Sequence, residues 1–161
     1  MIEAVMIQIE RILYPTDFSD TSLHALLYAK NFAEQYRAKL HCLYVIDEAY
    51  QYWMSMGPDS VPAGPVLPDL EASSREQMDR FVAEHLADVP FEVKSEVKIG
   101  RPFMEIVRTA RNLPADLIVI ATHGRSGLSH ILLGSVAEKV VRKATCPVIT
   151  IRHPEYKFEM P

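Results

Sequence analysis

The sequence is poor in several features that would have placed it at once. It has only two cysteines in 161 residues. Cys42 and Cys146 lie far apart and fit neither a CxxC redox motif nor a metal-ligand spacing. Cys42 sits in an apolar, strand-like run and reads as a small core residue. There is no apolar run of about 18 residues, hence no expected membrane span. The net charge of −4 lacks the basic excess usual in nucleic-acid binders. The first residues, Met1 to Val5, lack the basic region and apolar core of a signal peptide. Together these absences predict a cytoplasmic location. No GxxxxGK[ST] phosphate loop occurs, and no GxGxxG follows the first strand.

What is present is an ordinary globular balance, 48% hydrophobic and 24% charged, in a chain long enough for one domain with a real core. Ile9 to Pro15 reads as a first strand. Thr16 to Asp20 offers several helix N-caps. Leu23, Leu26, Leu27, Lys30 and Ala33 then recur at helical spacing, to about Arg37. Lys39 to Ile46 is a second strand, so the opening is a βαβ unit with a right-handed crossover. Asp47 to Asp69 carries Pro58, Pro62, Pro65 and Pro68 and an aromatic cluster of Tyr50, Tyr52 and Trp53. It reads as a flexible surface insertion, or as a lid or partner-contact loop.

Helical spacing returns from Leu70 to Leu86, with Met78, Phe81, Val82, His85 and Leu86 on one face. Phe91 to Lys98 is a strand. Pro102 suits a first helical turn, and Phe103, Ile106, Val107 and Ala110 form a stripe that Asn112-Leu113-Pro114 ends. Asp116 to Ala121 is the most continuously apolar strand, as befits a buried parallel one. Val136, Val140 and Val141 mark the last helix, and Val148 to Ile151 the last strand. Five strands alternating with four helices predict an open parallel α/β sheet with helices on both faces. The tail, 153–161, has no clear pattern.

The stretch from Ala121 to Ser135 is the chemical centre. It joins a buried strand to a helix start, where converging backbone N–H groups and the helix dipole suit a phosphate. Gly124 and Gly134 bracket nine residues. Ser135 reads either as a phosphate ligand or as an N-cap, with Glu138 completing a capping box. Arg125 either neutralises phosphate or is a solvated loop residue. Asp17 alone would read as a turn residue. The histidines, His123 and His130 included, look scattered and form no metal pair.

With these stretches in view, the chain resembles the universal stress protein family from about Ile9 to Arg152. Ile12 to Ser19, Leu43 to Asp47, Gly100-Arg101-Pro102, Ala115 to Ile120, and Gly124 to Val148 carry the resemblance. Nucleotide-binding members have G-x2-G-x9-G-[ST]. Here Gly124, Gly134 and Ser135 fit, while Ala121 replaces the first glycine and adds a methyl group. The resemblance implies strand order 3-2-1-4-5, in an adenine nucleotide alpha hydrolase-like fold. Asp17 and Val45 would then hold the adenine and ribose end, and Pro15 and Thr16 would line the same pocket. Gly124, Arg125, Ser126 and Gly127 would wrap the phosphates, with Ala121 and His123 beside them. Gly134, Ser135, Val136 and Ala137 would close the far side. ATP, or ADP or AMP, would bind with magnesium riding on the phosphates. A homodimer through Val148, Ile149, Thr150 and Ile151 is expected, because a sheet edge invites pairing. The implied function is a dimeric, nucleotide-dependent regulatory module. The alternatives are a slow ATPase or nucleotide-activating enzyme, with His123 as a base, and a nucleotide-free scaffold.

Overall fold

Ile12, Leu13 and Tyr14 have no solvent exposure, because the strand that holds them, β1 (Arg11–Pro15), is the middle of the sheet. The computed structural model describes residues 6–49, 67–123 and 133–155. Its other strands are β2 (Lys39–Asp47), β3 (Val93–Gly100), β4 (Leu117–Ala121) and β5 (Val148–Ile151). They form one sheet in the order β3-β2-β1-β4-β5, with every neighbouring pair parallel. The helices are α1 (Asp20–Tyr36), α2 (Leu67–His85), α3 (Pro102–Asn112) and α4 (Ser135–Lys143). No described helix is long and apolar enough to cross a membrane.

Side-chain alternation divides the core into two layers. Ile12, Tyr14, Leu40, Cys42, Leu117 and Val119 pack with residues of α1 and α2. Leu13, Leu43, Ile118 and Ile120 pack with residues of α3 and α4. Ala25, Ala29 and Ala33 are fully buried along α1, where small side chains let the helix approach the sheet. Ser19 caps α1 by accepting a hydrogen bond from the Ser22 N–H. Cys42 is the core residue expected of it, and burial pushes its thiol up to about 12, far from reactive thiolate chemistry.

Several expected details differ. β3 begins at Val93 rather than Phe91, and α2 begins at Leu67, three residues before Leu70. Leu27 and Val141 are about half exposed, at 54% and 46%. Each lies beside a residue that takes the buried position instead, Leu26 and Val140. Neighbouring apolar residues on a helix are about 100° apart, so only one of each pair can face the core.

One partly buried polar group is expected to give the fold a pH dependence. The His41 Nε2 lies 3.2 Å from the Glu96 carboxylate, while its buried Nδ1 has no hydrogen-bond partner among the described residues. Burial lowers the His41 pKa; the attraction of Glu96 opposes this, and Lys98 and Lys94 add to it. A histidine whose folded pKa is depressed is stabilising above its unfolded pKa and loses that contribution as pH falls through the folded value. Urea denaturation is therefore expected to show stability declining below about pH 6.5. His41→Gln, which keeps a donor for Glu96 and does not titrate, should flatten that decline. An equal decline in the variant would assign the effect elsewhere.

Candidate functional site

β1 and β4 are parallel neighbours, yet the helices that follow them lie in opposite layers. α1 belongs to one core layer and α4 to the other. The chain therefore parts above the carboxyl ends of these two strands, the place where open α/β sheets form their clefts. A cleft of about 530 Å³ lies there, within the usual range for small-molecule sites.

Its first wall is the β1–α1 turn. The Thr16 N–H donates to the Leu43 carbonyl, extending the ladder by one bond. Phe18 then takes a left-handed conformation with φ of 62°, rare for a bulky residue. Its ring packs against Tyr44 and Phe81, with centroids 4.7 and 5.4 Å away. The Thr16 hydroxyl accepts from the Phe18 N–H at 3.0 Å and shares a hydrogen bond with the Ser22 hydroxyl. Asp17 Oδ1 accepts from both the N–H and the hydroxyl of Ser19. The turn is thus locked in a shape that sets Asp17 in the cleft lining.

β2 supplies a second wall. The N–H of Lys39 donates towards β1, to Glu10, and the N–H of Leu40 donates away from it, to Glu92. With this alternation, Leu43 and Val45 both direct their backbone groups towards β1. β1 turns away after Thr16, so the N–H and C=O of Val45 open into the cleft with no backbone partner there among the described residues.

The third wall lies between β4 and α4. The Thr122 N–H donates to Ile151 at 2.8 Å, and the Thr122 carbonyl accepts from Gly134 at 2.6 Å. That last bond closes the base of the long connection. A Cβ on Gly134 would sit 2.7 Å from the Thr122 oxygen. Glycine is therefore required by the approach of two backbones, where the sequence suggested the approach of a phosphate. Ala121 by contrast is regular strand backbone, paired with Ile151, and needs no glycine conformation.

Gly134 is also the N-cap of α4, and among the described residues no side chain caps this helix. The capping-box expectation is thereby corrected. Ser135 is the first helical residue, and the Glu138 carboxylate accepts from Arg142 one turn on, at 3.1 Å. The first intrahelical bond is Glu138 N–H to the Gly134 carbonyl. The N–H groups of Ser135, Val136 and Ala137 consequently have no acceptor within the helix, and these three residues line the cleft.

Ten of the expected site residues line this one cleft: Pro15, Thr16, Asp17, Val45, Ala121, His123, Gly134, Ser135, Val136 and Ala137. Gly124, Arg125, Ser126 and Gly127, and most of the 47–69 insertion, lie outside the described residues. Tyr44, Asp47, Pro102, Ile106 and Thr122 also line it. Asp47 had a legible signal, since it ends the second strand on the same edge as Val45. Pro102 and Ile106 had none, because α3 reaches the cleft only through tertiary packing. Among the described residues, the charged lining residues are Asp17 and Asp47, with His123 beside them and no lysine or arginine. Among the described residues no cluster of three or more His, Cys, Asp or Glu could hold a metal ion.

Comparison with known proteins agrees with this fold. The family model described as the universal stress protein family matches residues 8–152. Universal stress protein MJ0531 of Methanocaldococcus jannaschii is 34% identical over 146 residues, covering 91% of this chain and 84% of its own. The solved structure of MJ0577, from the same organism, superposes with a TM-score of 0.78 at 33% identity, over 92% of this chain and 99% of its own. Two further structures of the fold are nucleotide complexes at 22% identity. One is a universal stress protein with cAMP, with a TM-score of 0.65 over 90% of this chain and 98% of its own. The other, from Archaeoglobus fulgidus, holds dAMP, with a TM-score of 0.62 over 91% and 99%.

Proposed function

The chain belongs to the universal stress protein family, and from that premise we propose that it is a regulatory module that binds an adenine nucleotide in the cleft between β1 and β4. The observation that carries the reading is the pairing of two unlike sets of backbone groups across one cleft. The N–H and C=O of Val45 form a donor and an acceptor side by side, which matches the N1 acceptor and N6 donor on the Watson–Crick edge of adenine. The uncapped start of α4 presents three N–H donors at the positive end of a helix dipole, which matches phosphate. Asp17 and Asp47 suit ribose hydroxyls, as carboxylates that accept from neutral donors. The cAMP and dAMP complexes belong to distant relatives, so they support the fold, and the case for the ligand rests on this chain's own walls. ATP, ADP or AMP would bind with the base towards β2 and the phosphates towards α4, and a magnesium ion would accompany them on the phosphate oxygens.

Calorimetry with adenosine, AMP, ADP and ATP, with and without magnesium, tests the reading. Ser135→Pro is the informative variant. Proline is welcome at the first helical position, and the extended conformation of Gly134 tolerates a following proline. The substitution therefore deletes one N–H and one hydroxyl without breaking the helix. It should weaken phosphorylated ligands by about tenfold, the worth of one hydrogen bond to a charged group, and leave adenosine unchanged. A folded parent protein that binds none of the four ligands would overturn the proposal.

The position of β5 at the edge of the described sheet supports homodimerisation through Val148 to Ile151. Ile118 N–H bonds to Pro147 and Thr122 N–H to Ile151, so Thr150 directs its backbone groups outwards. Thr150→Pro removes an outward donor and spares the ladder to β4. It should lower the association state seen by light scattering. A variant that stays as associated as the parent would exclude this edge.

A further inference from the structure

We infer that Ser19 is a positioning residue of the cleft, which holds the Asp17 carboxylate in the orientation that selects a ribose over a sugar lacking its hydroxyls. This rests on the nucleotide reading above and concerns the sugar specificity of that same site.

Asp17 belongs to the described lining of the cleft and Ser19 does not, so Ser19 acts on a ligand through its neighbours rather than by contact. Two bonds make the link. The Ser19 N–H donates to Asp17 Oδ1 at 3.0 Å, and the Ser19 hydroxyl donates to the same oxygen at 2.5 Å. The second bond is in the short range of a hydroxyl held by a carboxylate. Donors at an sp² oxygen favour its lone-pair directions, which lie in the carboxylate plane. Two of them therefore set the plane of the group as well as the position of one atom, whatever else the carboxylate meets.

The protons around Ser19 have one consistent arrangement. The Ser22 N–H donates to the Ser19 hydroxyl oxygen at 3.2 Å, and a carboxylate accepts, so the Ser19 proton points at Asp17. A second chain of bonds steadies Ser19 from behind. The Ser22 hydroxyl gives its proton to the Ser19 carbonyl at 2.9 Å. Thr16 is then the donor of the 3.0 Å bond between the two hydroxyls, and it accepts in turn from the Phe18 N–H. The Tyr14 hydroxyl donates to the Ser22 carbonyl at 2.6 Å. Tyr14, Thr16 and Ser22 are all buried, so water competes little for these bonds. Through Ser19, the Asp17 carboxylate is tied to the packed middle of the sheet.

A carboxylate held in this way can discriminate between sugars. A site arranged to bond a hydroxyl rejects the analogue without it, because its own polar group is then left unpaired. A loosely held carboxylate turns to water instead and loses that selectivity. Ser19 is also the N-cap of α1, and substitution separates the two roles. Its φ of −73° and ψ of 160° are open to any residue. Glycine is nearly as good an N-cap and keeps the N–H, but it deletes the hydroxyl. Aspartate caps as well as serine and has no proton to give to Asp17 at neutral pH. Threonine retains a hydroxyl that can both cap the helix and hold the carboxylate.

The test is calorimetry at neutral pH with adenosine and 2′,3′-dideoxyadenosine, two uncharged ligands that differ only in the sugar hydroxyls. Thermal denaturation checks that each variant is folded. The parent should prefer adenosine by about tenfold or more, the worth of one hydrogen bond to a charged group. Ser19→Gly and Ser19→Asp should bind the dideoxy ligand as the parent does and lower that preference by about threefold or more. Ser19→Thr should keep the preference of the parent. One folded variant of the first two suffices. If it retains the full preference, or loses affinity for both ligands alike, Ser19 has only a structural role and the inference is wrong. A threonine variant that behaves as the glycine variant does would place the effect in the shape of the turn and also overturn it. Equal binding of the two ligands by the parent would sink the inference while the reading of adenine stands. Binding of neither ligand by the parent would instead remove the nucleotide reading itself.

Discussion

Gly134→Ala is expected to destabilise the protein by about 1–3 kcal/mol, the usual cost of forcing one group into a packed site. It should also abolish measurable nucleotide binding. The new Cβ would meet the Thr122 carbonyl oxygen at 2.7 Å, closer than real contacts allow. The atom it meets is backbone, held in turn by the bond from Thr122 to Ile151, so neither side can yield cheaply. Gly134 has φ of −65° and ψ of 156°, a conformation open to any residue, and the cost is steric throughout. Relief requires the start of α4 to move away from β4, which shifts the N–H groups of Ser135, Val136 and Ala137. Chemical denaturation and calorimetry together check this. An alanine variant as stable as the parent and with unaltered affinity would show that the two backbones are not pinned. Gly134→Val should be worse on both counts, so loss of binding in that variant would report the clash as much as any phosphate contact.

Phe18 should give the second large effect, with an unusual order among its variants. Phe18→Ala loses the packing on Tyr44 and Phe81 and should cost about 3 kcal/mol, the low end for removing a packed phenylalanine. Alanine would still be held at φ near 62°. Phe18→Gly removes slightly more apolar surface, yet it is expected to be the more stable variant by about 1 kcal/mol, because glycine carries no Cβ penalty in the left-handed region. Both variants loosen the turn that places Asp17 in the cleft, and both should weaken adenosine binding. Thermal denaturation of the pair decides. If the glycine variant is less stable than the alanine variant, Phe18 does not hold this conformation under strain.

Much of this architecture was written in local patterns. Continuous apolar runs at Ile12 to Tyr14 and Leu117 to Ile120 marked buried parallel strands, since both of their faces must be covered. Pro102 and Leu113-Pro114 bracketed α3, because proline fits a helix start and stops a helix end. Resemblance then supplied the strand order, and with it the junction of β1 and β4. Local pattern was weakest where two apolar residues adjoin. Nothing in Leu26-Leu27 or Val140-Val141 says which member faces the sheet, and only packing selects Leu26 and Val140.

The site shows the same division. The sequence by itself determined that a strand, a glycine-bearing connection and a helix start stand together, while the placing of Asp17 and Val45 in one pocket came from resemblance. The first follows from periodicity and chain order, which are local properties. The tertiary structure alone decided that Gly134 serves backbone contact with Thr122, that Ser135 opens α4 with no side-chain cap, and that Pro102 and Ile106 join the cleft. Each of those depends on where the elements sit in space, which is fixed only when the two core layers close on the sheet.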